Sequence, residues 1–167
     1  MNNFFEAGTT IKVSHDLYDH YGISDGQGGV IHNSKKKGCV SHVTINEFSN
    51  GRKVATSNIC GDSLQTAFDN AKKYLSTPYI LFSSNCEHFV RVAHGLEKES
   101  VQLQKFMMLA LGIGVAVNSK DDSLKTAGIG AIIGSLSTSP EESPLKSAVL
   151  GGLIGLGLEY IHKNCHQ

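Results

Sequence analysis

Residues 83–90 read SSNCEHFV, and this short string decides how the first part of the chain is interpreted. Ser84 and Glu87 have the three-residue spacing of a capping box, in which both side chains bond the backbone at the start of a helix. A helix is therefore predicted to begin at Ser84, with Cys86 in its first turn. Backbone N–H groups there lack helical partners, so they and the helix dipole favour a thiolate and can bind an oxyanion on an attacked carbonyl.

The same helix has an apolar face, and Cys86 belongs to it. Phe89, Val90 and Ala93 follow the cysteine at three, four and seven residues, the spacing of one helical face. Cys86 is thus predicted to point into the domain. A buried cysteine with a purely structural role has the same pattern, so this helix alone does not distinguish a nucleophile from a core residue.

A cysteine nucleophile needs a base, and two histidines are spaced to supply one together with its orienting partner. His20 and His32 lie on two predicted strands joined by residues 25–28, Asp-Gly-Gln-Gly, a sequence typical of a hairpin turn. A hairpin sets the two side chains next to each other. His20 would accept the thiol proton and return it to the leaving group, while His32 would hold the His20 imidazole in the useful tautomer. Either histidine alone is more often a surface residue.

The surrounding segments predict an α+β domain in which an antiparallel sheet packs with helices. Short alternating or β-branched runs separated by glycine and asparagine predict the strands Thr9–Val13, Tyr21–Ser24, Gly29–His32 and Val40–Phe48. Apolar residues then recur at helical spacing over residues 63–75, which predicts an amphipathic helix. The run Tyr79–Phe82 is interpreted as one further strand before the cysteine string.

Composition changes near residue 100, which divides the chain into a domain at 1–99 and an apolar, glycine-rich helical tail at 100–167. Residues 106–161 consist mainly of glycine, alanine, leucine, isoleucine and valine, in three stretches. None of these stretches reaches the roughly 20 residues of a straight membrane span. A membrane-inserted hairpin, an interfacial layer and a soluble helical cluster all remain open, and membrane association is the favoured interpretation.

Local signals in the tail predict where its helices start and how two of them pack. Acidic residues at 121–122 and 141–142 precede the second and third stretches, as suits a helix N-terminus, and Pro144 fits an early helical position. Two glycine pairs have four-residue spacing: Gly130 with Gly134, and Gly151 with Gly155. Each pair places small residues on one helix face, where helix backbones can approach closely.

Charge and cysteine usage exclude several classes of partner. The chain has 15 basic and 15 acidic side chains and no net charge, which makes nucleic acid an unlikely main partner. Lys35–Lys37 is interpreted as a solvated loop, with anionic lipid headgroups as the alternative. The first ten residues contain no apolar run typical of a secretory signal, and the four cysteines are far apart. Free thiols in a cytoplasmic, membrane-associated protein are therefore predicted, with no metal site and no cofactor.

Three separate strings together resemble one protein family. They are residues 18–23, YDHYGI; residues 29–32, GVIH, whose histidine follows His20 by twelve residues; and residues 85–90, NCEHFV. In combination they resemble the lecithin:retinol acyltransferase-like family, which belongs to the NlpC-like class of permuted papain folds. The resemblance covers roughly residues 6–96, and the cysteine string is specific to the family. It implies a permuted papain-like fold for this part of the chain.

The resemblance also implies roles for individual residues. Cys86 matches the nucleophile, His20 the base and His32 the third member of the catalytic group. Tyr18 matches a tyrosine that family members often place near the site, and Asn85 directly precedes the nucleophile. Both Tyr18 and Asn85 are therefore assigned to the neighbourhood of the substrate and the oxyanion.

Two positions depart from the family pattern. Tyr21 stands where animal members commonly have tryptophan, and Ser24 stands where they usually have tyrosine. These changes concern the wall of the site rather than the cysteine and histidines. They weaken an assignment of substrate more than an assignment of mechanism.

The leading hypothesis is a thiol-dependent acyltransferase or phospholipase A-type hydrolase. Cys86 would attack a lipid or other acyl ester, and water, an alcohol or an amine would then take the acyl group from the cysteine. Residues 106–161 would bring this chemistry to a membrane surface. One alternative is a cysteine peptidase or amidase with the same three residues. Another is a non-enzymatic membrane-interaction protein that retains the fold.

Overall fold

A computed structural model describes residues 5–138 and 144–165, without the side chain of residue 165. The chain divides into an N-terminal unit, Met1–Ser100, and a C-terminal unit, Val101–Gln167. This division falls one residue from the boundary predicted from composition. The N-terminal unit is α+β and the C-terminal unit is helical.

The N-terminal unit is built on a five-stranded sheet with the strand order β4-β3-β2-β1-β5. Its strands are β1 (Thr10–Ser14), β2 (Asp19–Ser24), β3 (Gly29–Ser34), β4 (Cys39–Thr44) and β5 (Val54–Thr56). Every neighbouring pair is antiparallel, as predicted. The first four strands overlap the predicted segments, while the short strand β5 was not predicted.

The segment predicted as one long strand, Val40–Phe48, changes structure after β4. Residues Ile45–Ser49 form the short helix α1 instead. The Thr44 side chain accepts a hydrogen bond from the N–H of Glu47 and so caps the start of this helix. Asn50, with a left-handed backbone (φ 46°), ends it. The strand prediction is therefore wrong for its second half.

The turn between β2 and β3 has the hairpin structure that its sequence predicts. The Asp25 carboxylate accepts hydrogen bonds from the backbone N–H groups of Gln27 (2.7 Å) and Gly29 (2.8 Å). Gly26 and Gly28 have φ values of 80° and 93°, which side-chain-bearing residues rarely adopt. The hydrogen bonds of this turn join residues at most four positions apart, so the turn could be predicted from the sequence alone.

Two longer helices complete the N-terminal unit. Helix α2 (Leu64–Lys73) occupies the predicted helical segment, and the Ser63 side chain caps it by accepting from the N–H of Thr66. Helix α3 spans Cys86–Ala93. The region Tyr79–Phe82 contains no strand, only an isolated bridge between Ile80 and Ser84.

The core of this unit consists of two apolar clusters. The first packs α2 and α3 with alternate sheet residues: Tyr21, Ile23, Ile31, Val40, Ile59, Ala71, Cys86, Phe89, Val90 and Ala93. The second contains Ile11, Val13, Val30, Val43 and Phe48. Successive strand side chains point to opposite faces, so neighbours such as Val30 and Ile31 enter different clusters. Cys86 lies on the inner face of α3, as its spacing predicted.

The C-terminal unit contains three helices that correspond to the three predicted stretches. They are α4 (Val101–Asn118), α5 (Asp122–Leu136) and α6 (Pro144–Cys165). The Asp121 side chain caps α5 by accepting from the N–H groups of Ser123 and Leu124. Pro144 is the first residue of α6, as predicted, while the acidic residues expected before it lie outside the described residues.

Glycine allows α5 and α6 to pack backbone against backbone. A Cβ atom on Gly130 would collide with the carbonyl oxygen of Gly151, and one on Gly151 would collide with that of Gly130. Gly134 meets the backbone of Ser147, and Gly155 meets that of Thr126, in the same way. The prediction of close approach at the two glycine pairs is confirmed.

Helix α4 is longer than its apolar stretch. With 18 residues and a mean hydropathy of 1.3, it is long and apolar enough to cross a membrane. Among the described residues it is the one helix that meets this test. Polar residues at the start of α4 extend the helix beyond its apolar stretch, which is itself shorter than the roughly 20 residues of a straight span, as predicted.

Candidate active site

The start of α3 is capped one residue later than predicted. Cys86 is the first helical residue and Asn85 is the cap: its side-chain oxygen accepts from the N–H groups of Glu87 and His88, both at 3.0 Å. In return, the Asn85 N–H donates to Nδ1 of His88 at 3.3 Å. The capping box therefore joins Asn85 to His88, and the predicted box of Ser84 with Glu87 is wrong.

The predicted capping residues are used elsewhere, which is why they do not form the box. Asn33 on β3 donates through Nδ2 to the carbonyl oxygen of Ser84 (2.6 Å) and to its hydroxyl (3.2 Å). The Glu87 carboxylate is buried and accepts from the Ser100 hydroxyl at 2.7 Å. The contact between Asn33 and Ser84 holds the segment before α3 against β3, and so helps to set the position of Cys86.

Asn85 is part of this support rather than a free polar group of the site. Besides the two bonds that its oxygen accepts, its Nδ2 donates to the carbonyl oxygen of Leu81 at 3.0 Å. The side chain thus holds both the start of α3 and the preceding turn. A role at the oxyanion stays a prediction.

The Cys86 thiol is buried at the N-terminus of α3. Burial raises the pKa of the thiol to about 11. The backbone N–H of Tyr21 on β2 acts on the pKa of the thiol in the opposite direction, and so do the N–H groups at the helix start. The negative charge of Glu87 adds to the rise. The expected stabilisation of the thiolate by the helix is present but smaller than the cost of desolvating the charge, so the resting thiol is protonated.

The two predicted histidines meet where β2 and β3 separate. Strands β2 and β3 pair with each other at only two residue pairs, next to the turn. Beyond these pairs, β2 still pairs with β1, and β3 still pairs with β4. There, His20 Nε2 lies 2.8 Å from His32 Nδ1. Tyr21 directly follows His20 in β2, and its backbone N–H lowers the pKa of the Cys86 thiol. Among the described residues, no hydrogen bond joins the Cys86 sulfur to either imidazole, so the histidine pair and the thiol are related through neighbouring residues of β2.

The tautomer of the pair follows from the chemistry that it would perform. A base at His20 must offer an unprotonated Nδ1, so the ring proton would be on Nε2 and would be donated to Nδ1 of His32. His32 would then carry its proton on Nε2. That nitrogen is buried and has no hydrogen-bond partner within residues 5–138 and 144–165.

Phe48 packs against both histidine rings, and sequence reasoning missed it. Its ring stacks on His20 with centroids 5.2 Å apart and meets His32 edge-on at 5.4 Å. Phe48 is buried in the second core cluster, so it shields the pair from water. The spacing of Thr44 and Glu47 was the available signal, because it has the capping-box form that marks the start of α1.

Both histidines are neutral at physiological pH. Burial lowers the pKa of His20 to about 3, with the charges of His32 and His15 acting in the same direction. Burial also lowers the pKa of His32 to about 4, with Lys37 adding to the effect and Glu47 opposing it. A neutral imidazole can accept a proton, so the pair is in the protonation state that a general base requires.

Tyrosines lie at the outer side of this region. Tyr18 is exposed and stacks on His15, with ring centroids 4.6 Å apart and planes at 11°. Tyr79, half-buried, has its pKa raised by burial and then by the charges of Cys86 and Tyr18, so it is near both groups. Tyr79 was assigned to a strand from sequence, and nothing in its local pattern indicated a position near the thiol.

Thiols other than Cys86 and potential metal ligands also occur in the part of the chain that the structure describes. Cys39 and Cys60 are free, as is Cys86. Within the described ranges, no group of three or more histidine, cysteine or acidic residues is arranged to hold a metal ion.

A scan against protein-family models found no match to this chain, and a search of curated proteins found none either.

Proposed function

We propose that the N-terminal unit is a thiol-dependent acyl-transfer enzyme of the lecithin:retinol acyltransferase-like family, with a permuted papain fold. Cys86 is the nucleophile, His20 the general base and His32 the residue that orients it. The observation that carries the proposal is the part-buried 2.8 Å His20–His32 pair, next in β2 to Tyr21, whose backbone N–H lowers the pKa of the Cys86 thiol. A paired, desolvated histidine beside a helix-N-terminal cysteine is the arrangement of a cysteine nucleophile with its base.

In the first step the thiol proton moves to His20 Nδ1 as the sulfur attacks the carbonyl carbon of an ester. A C–S bond forms, and the carbonyl electron pair moves onto oxygen, where backbone N–H groups at the start of α3 stabilise the charge. His20 then protonates the departing alkoxide as the C–O bond breaks, which leaves an acyl group on Cys86. The imidazolium formed in between keeps its Nε2–H bond to His32.

In the second step water, an alcohol or an amine attacks the thioester carbonyl. His20 accepts the proton of the incoming nucleophile, and the C–S bond breaks to return the neutral thiol. Because both groups rest in their neutral forms, charge separates only during the reaction. The site therefore uses a proton transfer coupled to attack rather than a preformed ion pair.

A lipid ester at a membrane surface is the substrate class that the rest of the chain favours. In the C-terminal unit, helix α4 has the length and hydropathy of a membrane span and few buried residues. Large apolar side chains of α5 and α6 are also exposed, among them Ile133, Leu153 and Leu158. Helices that expose such residues bury them at low cost in a bilayer. We place the protein on a membrane in a reducing compartment.

One observation favours a non-enzymatic membrane-interaction protein as the alternative. The Cys86 thiol is buried with a pKa raised to about 11, which is also typical of a structural core cysteine. Under this alternative, substitution of Cys86 would leave the biological activity intact. Under the enzymatic proposal it would abolish that activity.

The proposal is tested by acyl labelling of the full chain. Vesicles of phosphatidylcholine with an alkyne-tagged acyl chain are incubated with the protein, and tagged peptides are identified by mass spectrometry. We expect the tag on Cys86, no tag in Cys86→Ala, and labelling about 10²–10⁴-fold slower in His20→Gln, since a general base contributes a factor of this size. The exposed Cys60 gives the matched control: Cys60→Ala should label as the unsubstituted chain does. Label that persists in Cys86→Ala would contradict the proposal.

A further inference from the structure

The turn just before the proposed nucleophile exposes three consecutive large apolar side chains. Ile80, Leu81 and Phe82 have exposed fractions of 53%, 46% and 68%. Isolated exposed apolar residues are ordinary, but a continuous run of them usually marks an interaction surface. The run ends four residues before Cys86, so whatever covers it lies close in the chain to the proposed nucleophile.

The backbone of this turn is hydrogen-bonded internally. Ile80 and Ser84 exchange two bonds, Ile80 N–H to Ser84 oxygen at 2.9 Å and Ser84 N–H to Ile80 oxygen at 2.6 Å. Ser83 N–H also donates to the Ile80 oxygen, and the Leu81 oxygen accepts from Asn85 Nδ2. A segment that enters an apolar medium gains from satisfying its backbone groups within the protein, and these bonds do so for Ile80, Ser84, the Ser83 N–H and the Leu81 oxygen.

The apolar turn is hydrogen-bonded to a connection that carries exposed lysines. The Tyr79 N–H donates to the carbonyl oxygen of Gly38 at 2.8 Å, which joins the turn to the connection between β3 and β4. That connection exposes Lys35 and Lys36. Exposed cationic and apolar side chains side by side match the two parts of an anionic bilayer surface, its headgroups and its acyl region.

We infer that the N-terminal unit itself docks onto an anionic phospholipid surface through a docking face formed by Ile80, Leu81, Phe82, Lys35 and Lys36. This inference rests on the proposed function and deepens it, because it names the surface from which the ester substrate is taken. The apolar side chains insert among the acyl chains and the lysines contact the headgroups. Substrate can then pass from the bilayer to the Cys86 side of the turn without crossing bulk water.

The chain contains no tryptophan, so a single introduced tryptophan reports on this face alone. The test uses full-length Phe82→Trp in a Cys86→Ala background, in which no acyl transfer can occur. The matched control is Ala55→Trp in the same background. Ala55 is an exposed residue of β5, at the opposite sheet edge from β4, which adjoins the apolar turn. Both proteins are mixed with phosphatidylcholine vesicles containing phosphatidylserine, with and without brominated acyl chains.

We expect the emission of Phe82→Trp to shift to shorter wavelength and to be quenched by the brominated lipid, while the emission of Ala55→Trp changes little. Vesicle-bound Phe82→Trp protein with unshifted, unquenched emission would overturn the inference, and so would failure to bind vesicles. A shift that grows with protein concentration in the absence of lipid would assign the face to a second copy of the chain and would also overturn it.

The charged part of the face has its own test. In Phe82→Trp protein that also carries Lys35→Gln and Lys36→Gln, quenching should need more phosphatidylserine, because each lysine near an anionic surface strengthens binding by roughly fivefold. If quenching is unchanged at every phosphatidylserine content, Lys35 and Lys36 do not contact the lipid headgroups and do not belong to the docking face. Since these measurements use the Cys86→Ala background, they can fail while acyl labelling succeeds, or succeed while it fails.

Discussion

The two units of this chain are held together in different ways. In the N-terminal unit, side chains of many different types pack into a core. Buried polar groups there are hydrogen-bonded, as Asn33 is to Ser84 and Glu87 is to Ser100. In the C-terminal unit, α5 and α6 meet through glycine backbones, and their large apolar side chains point outward. The first is the construction of a domain that folds in water. The second leaves large apolar side chains exposed.

The largest expected effect on stability comes from substituting Phe48, which lies in the core of the N-terminal unit. Phe48→Ala removes a buried ring from the second core cluster and from both histidines, so the free energy of unfolding of the N-terminal unit should fall by about 3–5 kcal/mol. Urea unfolding followed by tyrosine fluorescence or circular dichroism measures it. Phe48→Leu, which keeps most of the volume, should cost much less. Equal losses for the two variants would contradict the packing role.

An intermediate effect is expected from one glycine of the C-terminal unit. Gly151→Leu forces a side chain into the backbone of α5, so the α5–α6 pair should lose about 1–3 kcal/mol, as overpacked sites do. Gly157→Leu on the same helix is the matched control, because nothing lies within 4 Å of a Cβ at that position. Cysteine cross-linking between α5 and α6 compares the two variants. If both retain the pair equally, glycine packing does not hold these helices.

The smallest change is expected from pH. With folded-state pKa values of about 3 for His20 and about 11 for Cys86, the neutral pair persists across the physiological range. The ratio kcat/KM should therefore stay flat from about pH 5 to pH 9, whereas a base with an ordinary histidine pKa would lose about 30-fold by pH 5. A fall centred near pH 6.5 in the pH–rate profile would show that His20 is not desolvated as described.

Stability should respond to the same groups with a definite sign. The pKa values of His20 and His32 are lower in the folded state than in the unfolded chain, so the unfolded chain binds more protons as pH falls below about 6.5. The stability contributed by these neutral, buried rings is thus fully present above that pH and is lost progressively on acidification. The flat activity profile must be measured where circular dichroism shows the unit folded.

Local signals accounted for the parts of this structure that the sequence predicted. The Asp25 turn, the helical spacing of α2 and the glycine spacing of α5 and α6 each depend on residues close together in the chain. The helical spacing after Cys86 likewise predicted which face of α3 is buried. In the same way, a hairpin turn with histidines on both strands was enough to predict the His20–His32 pair.

Tertiary contacts decided the parts that the sequence did not predict. Ser84 could not cap α3 because Asn33, 51 residues away, holds it, so the cap moved to Asn85. The protonation state of Cys86 depends on burial against β2, which no local pattern contains. Phe48 was missed for a different reason: alternation in Val40–Phe48 resembled a strand more than the cap at Thr44 resembled a helix start.

The central claim is that the Cys86 thiol and the His20 imidazole belong to one site, and a bifunctional alkylating agent tests it most directly. 1,3-Dibromoacetone can join a sulfur to a nearby imidazole nitrogen through its two CH₂ carbons, with loss of two HBr. At about pH 9 we predict a single cross-link between the peptides that contain Cys86 and His20, absent in His20→Gln. Cys86 alkylated without a cross-link, or joined to any other residue, would contradict the account.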